Sequence, residues 1–187
     1  MARYYTVDRA RKLRPGYVIG YEIDCKPILP DVRFRQEDLE RLARDLFPEG
    51  LTRHGAEYLL RLPFLVASDF GPGIGEKISV LYEPFLEMVL EIVRVAWFAD
   101  KPSRFSSVFA WQTLDEAKAF RDKYNGGDIY MVDADPGFQA DMKLVALGGT
   151  NIAALWLARQ YWRGEASATP AWETLLRPPV VVGEKVG

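Results

Sequence analysis

The chain has 187 residues, 49% of them hydrophobic and 27% charged, the balance of a globular protein of one domain that buries roughly 70% of its unfolded surface. Its 24 basic and 26 acidic residues leave a net charge of −2, which argues against broad electrostatic capture of nucleic acid and leaves room only for a local basic patch. One cysteine, Cys25, excludes an internal disulfide, and one cysteine with one histidine argues against a classical zinc site.

The opening segment MARYYTVDRARKLRPG carries charges with no apolar run behind them, so no signal peptide is expected. Its β-forming core predicts a strand over Tyr4 to Val7. Pro15-Gly16 marks a turn, and a second strand is expected over Tyr17 to Ile23. CKPILPDVRF reads as a loop broken by two prolines. RQEDLERLARDLF predicts a helix with Leu39, Leu42, Leu46 and Phe47 inward, and RHGAEYLLRL a short second helix. The glycine-rich SDFGPGIGEK loop leads into a long helix over 78–98, bent near Pro84. That helix is the most apolar stretch of the chain. Glu83, Glu87 and Glu91 recur along it at four-residue steps, followed by Arg94, and read as a wet stripe that a membrane span would not carry. A soluble, cytoplasmic protein is expected.

RFSSVFA predicts a strand whose alternation places Phe105, Ser107 and Phe109 on one face and Arg104, Ser106 and Val108 on the other. TLDEAKAF opens on a capping box, Thr113 with Glu116, and turns Ala117 and Phe120 inward. GGDIYMVDAD and MKLVAL read as strands. The helix after GGT is expected to bury the face of Ile152, Leu155, Trp156 and Arg159. ASATPA is a loop, and ETLL and VVVGEKV close the chain as strands about RPP. The order gives α+β, one domain over 1–187 with residues 35–100 as a helical insertion.

Most chemical motifs have a simpler reading. GPGIGEK lacks the spacing of a phosphate-binding loop. His54 reads as a surface or capping residue at a helix start. Asp133, Asp135 and Asp141 fit no calcium loop and read as turn carboxylates. Two segments are richer. SRFSSVFA is either a polar edge strand or the floor of a cleft, its serines suited to a ribose or amide and its aromatics to a flat ring. SATPAWETLL holds Glu173 at a loop–strand junction beside Trp172, either as an edge charge or facing a cleft.

In order along the chain, YYTVDRARKLRPG, SRFSSVFAWQTLDEAKAF and PAWETLLRPPVVVGEKV resemble the ADP-ribosyltransferase superfamily, which includes diphtheria toxin and the poly(ADP-ribose) polymerases, and more closely an uncharacterised bacterial domain family related to it. The resemblance covers under half of the chain. It implies a split β-sandwich with NAD in its cleft and transfer of ADP-ribose to a protein or nucleic-acid acceptor, in a toxin or defence effector. It makes Glu173 the catalytic glutamate. Ser107 and Phe109 would line the nicotinamide pocket, with Arg104 and Ser106 meeting phosphate, ribose or carboxamide. Tyr5 and Thr6, with Arg9 nearby, would hold the other side. The loop from Gly164 to Ala171 would face the acceptor. The chain departs from the pattern at Thr6, where the family often has His or Arg, at SVFA in place of G-x-Y-F-A, and at Ala171, where arginine-modifying members usually carry a glutamate. The same residues leave two other functions open: a non-catalytic relative that binds a nucleotide or a protein, and a nucleic-acid module using Arg3, Arg9, Arg11, Lys12 and Arg14 beside Tyr4 and Tyr5.

Overall fold

A computed structural model describes residues 1–22, 35–62, 65–68, 77–80, 82–124 and 126–187. The β-forming N-terminus makes strand β1, Ala2–Asp8, with Tyr4, Thr6 and Asp8 buried and Arg3 exposed, the period-2 pattern of a half-buried strand. Along its whole length β1 pairs antiparallel with β6, Asp128–Ala134; β9, Val180–Lys185, lies beyond β6, and the short β2, Val18–Ile19, beyond β9. A second antiparallel sheet has the order β5-β8-β7, from Val108–Ala110, Trp172–Leu176 and Phe138–Asp141. Tyr5 and Trp111 exchange backbone hydrogen bonds of 2.9 and 2.8 Å, tying the edge of the first sheet to the end of β5. Tyr4, Val108, Val132, Leu176, Val180 and Val182 form the apolar filling shared by the two sheets. The expected α+β class holds, with these two antiparallel sheets packed together and a separate two-stranded hairpin among the described residues.

Residues 35–100 contain a hairpin as well as helices. Leu65–Ser68 (β3) pairs with Lys77–Val80 (β4), so the residues expected to start the long helix are a strand. The helix, α3, spans Tyr82–Trp97. Pro84 therefore stands in its first turn, where a missing N–H forfeits no intrahelical bond, and the expected bend has no cause. The wet stripe is also corrected. Glu87 and Glu91 are buried, because cationic and hydroxyl partners face them, and the exposed side of α3 carries Phe85, Met88, Ile92 and Val95. Among the described residues no helix is long and apolar enough to cross a membrane.

Helix α1, Gln36–Leu46, rests on Ala43 and the following Phe47, which pack with Leu51, Leu60 and Phe105; Leu42 and Leu46, expected inward, are exposed. After it, α2 (Arg53–Gly55) runs directly into a π-helical segment, Ala56–Arg61. Helix α4, Leu114–Lys123, starts at the expected capping box: Thr113 Oγ1 accepts the Glu116 N–H at 3.2 Å, and the Glu116 carboxylate accepts the Thr113 N–H at 3.0 Å. Helix α5, Asn151–Arg163, packs with the opposite face to the one expected. Ile152 and Trp156 are exposed, whereas Ala154, Ala158, Tyr161 and Trp162 are buried. The two alanines lie at the contact with α3, and Trp162 Nε1 donates to the Leu90 carbonyl at 2.8 Å. MKLVAL does not form a strand. Met142–Leu144 is a 3-10 turn capped by Asp141, which accepts the Lys143 N–H. The expected strand to Ile23 is only Val18–Ile19 among the described residues, and Ile23, Cys25 and most of the GPGIGEK loop lie outside them.

Candidate functional site

The segment expected as one alternating strand divides in two. Arg104–Ser106 is a 3-10 turn, and the strand begins only at Val108. Ser103 starts the turn by accepting the Phe105 N–H, and Ser107 closes it by donating to the Ser103 carbonyl at 2.6 Å. The turn destroys the alternation, so Arg104 and Phe105 are both buried. Its outer wall is α2. The Thr52 N–H donates to the Phe105 carbonyl at 2.9 Å, and the Thr52 hydroxyl reaches the Ser107 carbonyl at 3.0 Å. Gly55 makes this approach possible, since a Cβ there would overlap the Phe105 carbonyl oxygen.

Turned inward by that geometry, Arg104 meets two carboxylates. Glu87 of α3 receives Nε at 2.7 Å and Nη2 at 2.9 Å, a two-point bond matched to the planar guanidinium. Nη1 donates to Glu173 Oε1 and, at 2.6 Å, contacts the Tyr161 hydroxyl, which itself donates to Glu173 Oε1 at 2.8 Å. Arg104 and Glu87 are each 6% exposed and Glu173 only 2%. Both contacts to Glu173 fall on Oε1; Oε2 takes part in neither. The guanidinium carbon also sits 4.7 Å from the Phe109 ring centre and 5.2 Å from that of Tyr161, within cation–π range. Beyond Glu87, His54 Nε2 lies 3.4 Å from Glu87 Oε1, a long contact. The His54 ring stacks on Tyr58 at 4.4 Å and meets Phe109 edge-on at 4.6 Å.

Burial opposes charge throughout this cluster, and the pairing decides the outcome. Burial disfavours the Glu87 carboxylate, but the Arg104 guanidinium and the His54 contact outweigh it and hold the carboxyl at about 2. Burial likewise opposes the Arg104 charge, and Glu173 and Glu87 together hold it well above its ordinary value. The Tyr161 phenol is pushed well up by burial, against the Arg104 charge and with the Glu173 charge.

The other expected site residues are placed as follows. Thr6 is buried and its hydroxyl donates to the Phe109 carbonyl at 2.8 Å, joining β1 to β5. Tyr5 packs against the Trp111 and Ile129 cluster. Arg9 is exposed, 5.9 Å over the Tyr124 ring, and its charge reaches the Tyr58 phenol at the border of the cluster. The Ser106 hydroxyl donates to the Gly50 carbonyl at 2.7 Å, and Ser107 is buried, so the turn's serines act in this structure as tethers. Phe109 is half-buried and touches both Arg104 and His54. β1, β5 and β8 thus bring Thr6, Phe109 and Glu173 onto connected strands. Arg3, Arg11, Lys12 and Arg14 are exposed, Arg3 facing Asp133 at 3.6 Å. Asp133 lies within β6 rather than in a turn. Asp141 is fully buried and accepts the N–H groups of Lys143, Ser167 and Ala171, at 3.0, 2.8 and 2.8 Å, so it pins the 164–171 loop. No group of three metal-ligating side chains occurs among the described residues.

His54, Tyr58, Glu87 and Tyr161 were not legible as site residues. His54 is not a cap, and its ring is only partly exposed, packed on Tyr58 and Phe109; Glu87 lies in a run whose spacing suggested solvent. The hydrogen-bonding partners of Glu87 and Tyr161 are 12 to 57 positions away. A carboxylate on an otherwise apolar helix was the one available signal. A cleft of about 260 Å³, lined by Leu46, Glu49, Lys101, Ser106 and Arg177 among others, opens on the outer side of the 3-10 turn; neither Glu173 nor Phe109 lines it.

The model of a family described as "Protein of unknown function (DUF2441)" matches residues 4–187. No curated protein matches the chain.

Proposed function

Since the chain belongs to the DUF2441 family, whose function is not described, we propose from its own site that it is an NAD-dependent ADP-ribosyltransferase. One observation carries the reading. The three segments that resemble that superfamily come together on β1, β5 and β8, where Arg104 touches both Glu173 and the Phe109 ring. In this reading NAD is the substrate, and its nicotinamide ring lies against the aromatic faces. Glu173 Oε2 accepts a hydrogen bond from the nicotinamide-ribose 2′-hydroxyl. As the bond from C1 to the nicotinamide nitrogen breaks, positive charge develops on the ribose and is stabilised by the carboxylate. Tyr161 and Arg104 fix the Glu173 side chain through Oε1.

A second reading, a non-catalytic nucleotide- or protein-binding module, is favoured by one specific contact: Arg104 already sets a positive charge against Glu173. Nicotinamide release from NAD by the purified protein, compared with Glu173→Gln, separates the two. Release that disappears in the variant supports transfer chemistry. Binding of NAD without release, in both proteins, supports the module.

A further inference from the structure

The site holds a second chemical unit, in which a buried carboxylate, Glu87, faces the single histidine of the chain. We infer that Glu87 and His54 form a general-base dyad whose free nitrogen, Nδ1, takes the proton from a hydroxyl or amine nucleophile that approaches the exposed edge of the ring.

Three observations carry the inference. First, Nε2 is completely buried and lies 3.4 Å from Glu87 Oε1, close enough to be completed by a small ring rotation, and it makes no hydrogen bond among the described residues. Second, the His54 side chain keeps 23% of its surface exposed although Nε2 does not, and among the described residues Nδ1 makes no hydrogen bond and is not one of the fully buried polar atoms. Nδ1 is therefore open to solvent. Third, the ring is held in place: Tyr58 stacks on one face at 4.4 Å, Phe109 meets it edge-on, and Gly55 lets α2 sit close against the 3-10 turn. A carboxylate at one imidazole nitrogen fixes the proton there and leaves the other nitrogen as a base. Glu87 suits the task because Arg104 keeps it ionised.

The step rests on the ADP-ribosyl transfer proposed above, and its atoms balance. The nucleophile's O–H or N–H proton passes to His54 Nδ1 while its oxygen or nitrogen bonds to C1 of the ADP-ribosyl group. The bond from C1 to nicotinamide breaks, and its electron pair leaves with nicotinamide. His54 then returns the proton to solvent through its exposed edge.

Because the chain has one histidine, nitrogen NMR of protein labelled in the imidazole reads this residue alone. In alkaline solution, where the ring is neutral, the proton is expected on Nε2. A proton on Nδ1 overturns the dyad. The second measurement uses NAD with water as the nucleophile. His54→Gln is expected to lower nicotinamide release at saturating NAD by about 100-fold, the ordinary contribution of a general base. Unchanged release in His54→Gln, in protein whose release depends on Glu173, overturns the inference. If the wild type neither binds nor cleaves NAD, the transferase reading falls and the general-base step falls with it, while a proton on Nε2 still supports the pairing of His54 with Glu87.

Discussion

Arg104 and Glu173 lie 69 positions apart in the chain and meet in the protein interior, each at most 6% exposed, with Tyr161 bonded to both. The contact joins the 3-10 turn to β8. Glu87 adds the third charge, so one buried cation answers two buried anions. Removing the cation leaves both carboxylates uncompensated, a loss of about 3–5 kcal/mol for a buried pair. Arg104→Met is expected to destabilise the fold by at least that much in urea titration. Adding Glu87→Gln and Glu173→Gln should recover a large part of it. Recovery is the decisive observation: a triple variant no more stable than the single one would mean that Arg104 acts by shape alone.

Gly55 supplies a second prediction, with no charge involved. A methyl group there would collide with the Phe105 carbonyl oxygen, which backbone cannot easily yield. Gly55→Ala is expected to destabilise by roughly 1–3 kcal/mol, the usual range for overpacking. Gly20→Ala is the control, since nothing lies within 4 Å of the added carbon and its φ is ordinary. Thermal unfolding of the two variants side by side gives the answer, and equal midpoints would refute the close approach.

Acid should weaken the protein in a definite window. The Glu87 carboxyl is at about 2 in the folded state against an ordinary 4.5, so its folded value is the lower one. Its contribution is therefore fully present above about pH 5 and is lost progressively as the pH falls toward 2. The size is on the order of 3 kcal/mol. Asp141, whose burial is outweighed by the N–H groups of Ser167, Ala171 and Lys143, is held below its ordinary value and adds to the slope with the same sign. Unfolding free energy measured across this window should fall steadily. A flat profile would contradict the ionised, paired state of Glu87.

Asp141→Ala tests how the 164–171 loop is held. Three N–H donors would lose their acceptor in the interior, and each charge-assisted bond is worth about 1.5–3 kcal/mol. The local sign is more specific than the global one. Amide hydrogen exchange at Ser167 and Ala171 should accelerate far more than at Leu175 in the neighbouring strand. Uniform acceleration across β8 would instead indicate general loosening.

These relationships explain what was readable in the sequence. The α4 capping box is local, four residues whose chemistry needs no partner elsewhere, and it stands as read. β1 and the strand after Gly127 carry strong β-formers and were also legible. Faces of helices were harder. On α5, Ile152 and Trp156 outweigh Ala154 and Ala158 in any hydrophobicity count. The alanines nonetheless face inward, because the close contact with α3 needs small side chains there. On α3, periodic glutamates suggest water. Their burial depends on Arg104 and Ser103, which no local pattern links to them. Glu173 was marked as a site residue by its segment, while the cluster that surrounds it comes from α2, α3, α5 and the 3-10 turn.

The strand order also sets a timetable for the emerging chain. β1 and β2 are made within the first 19 residues, but their partners β6 and β9 begin at Asp128 and Val180. During synthesis both early strands are bare edges, able to join any strand that passes. A ribosome paused after α4 would display β1 with its ladder of hydrogen-bonding groups still unmatched. The whole four-stranded sheet then closes late, in one passage from β6 to β9, and speed at that stage protects the chain from pairing with its neighbours.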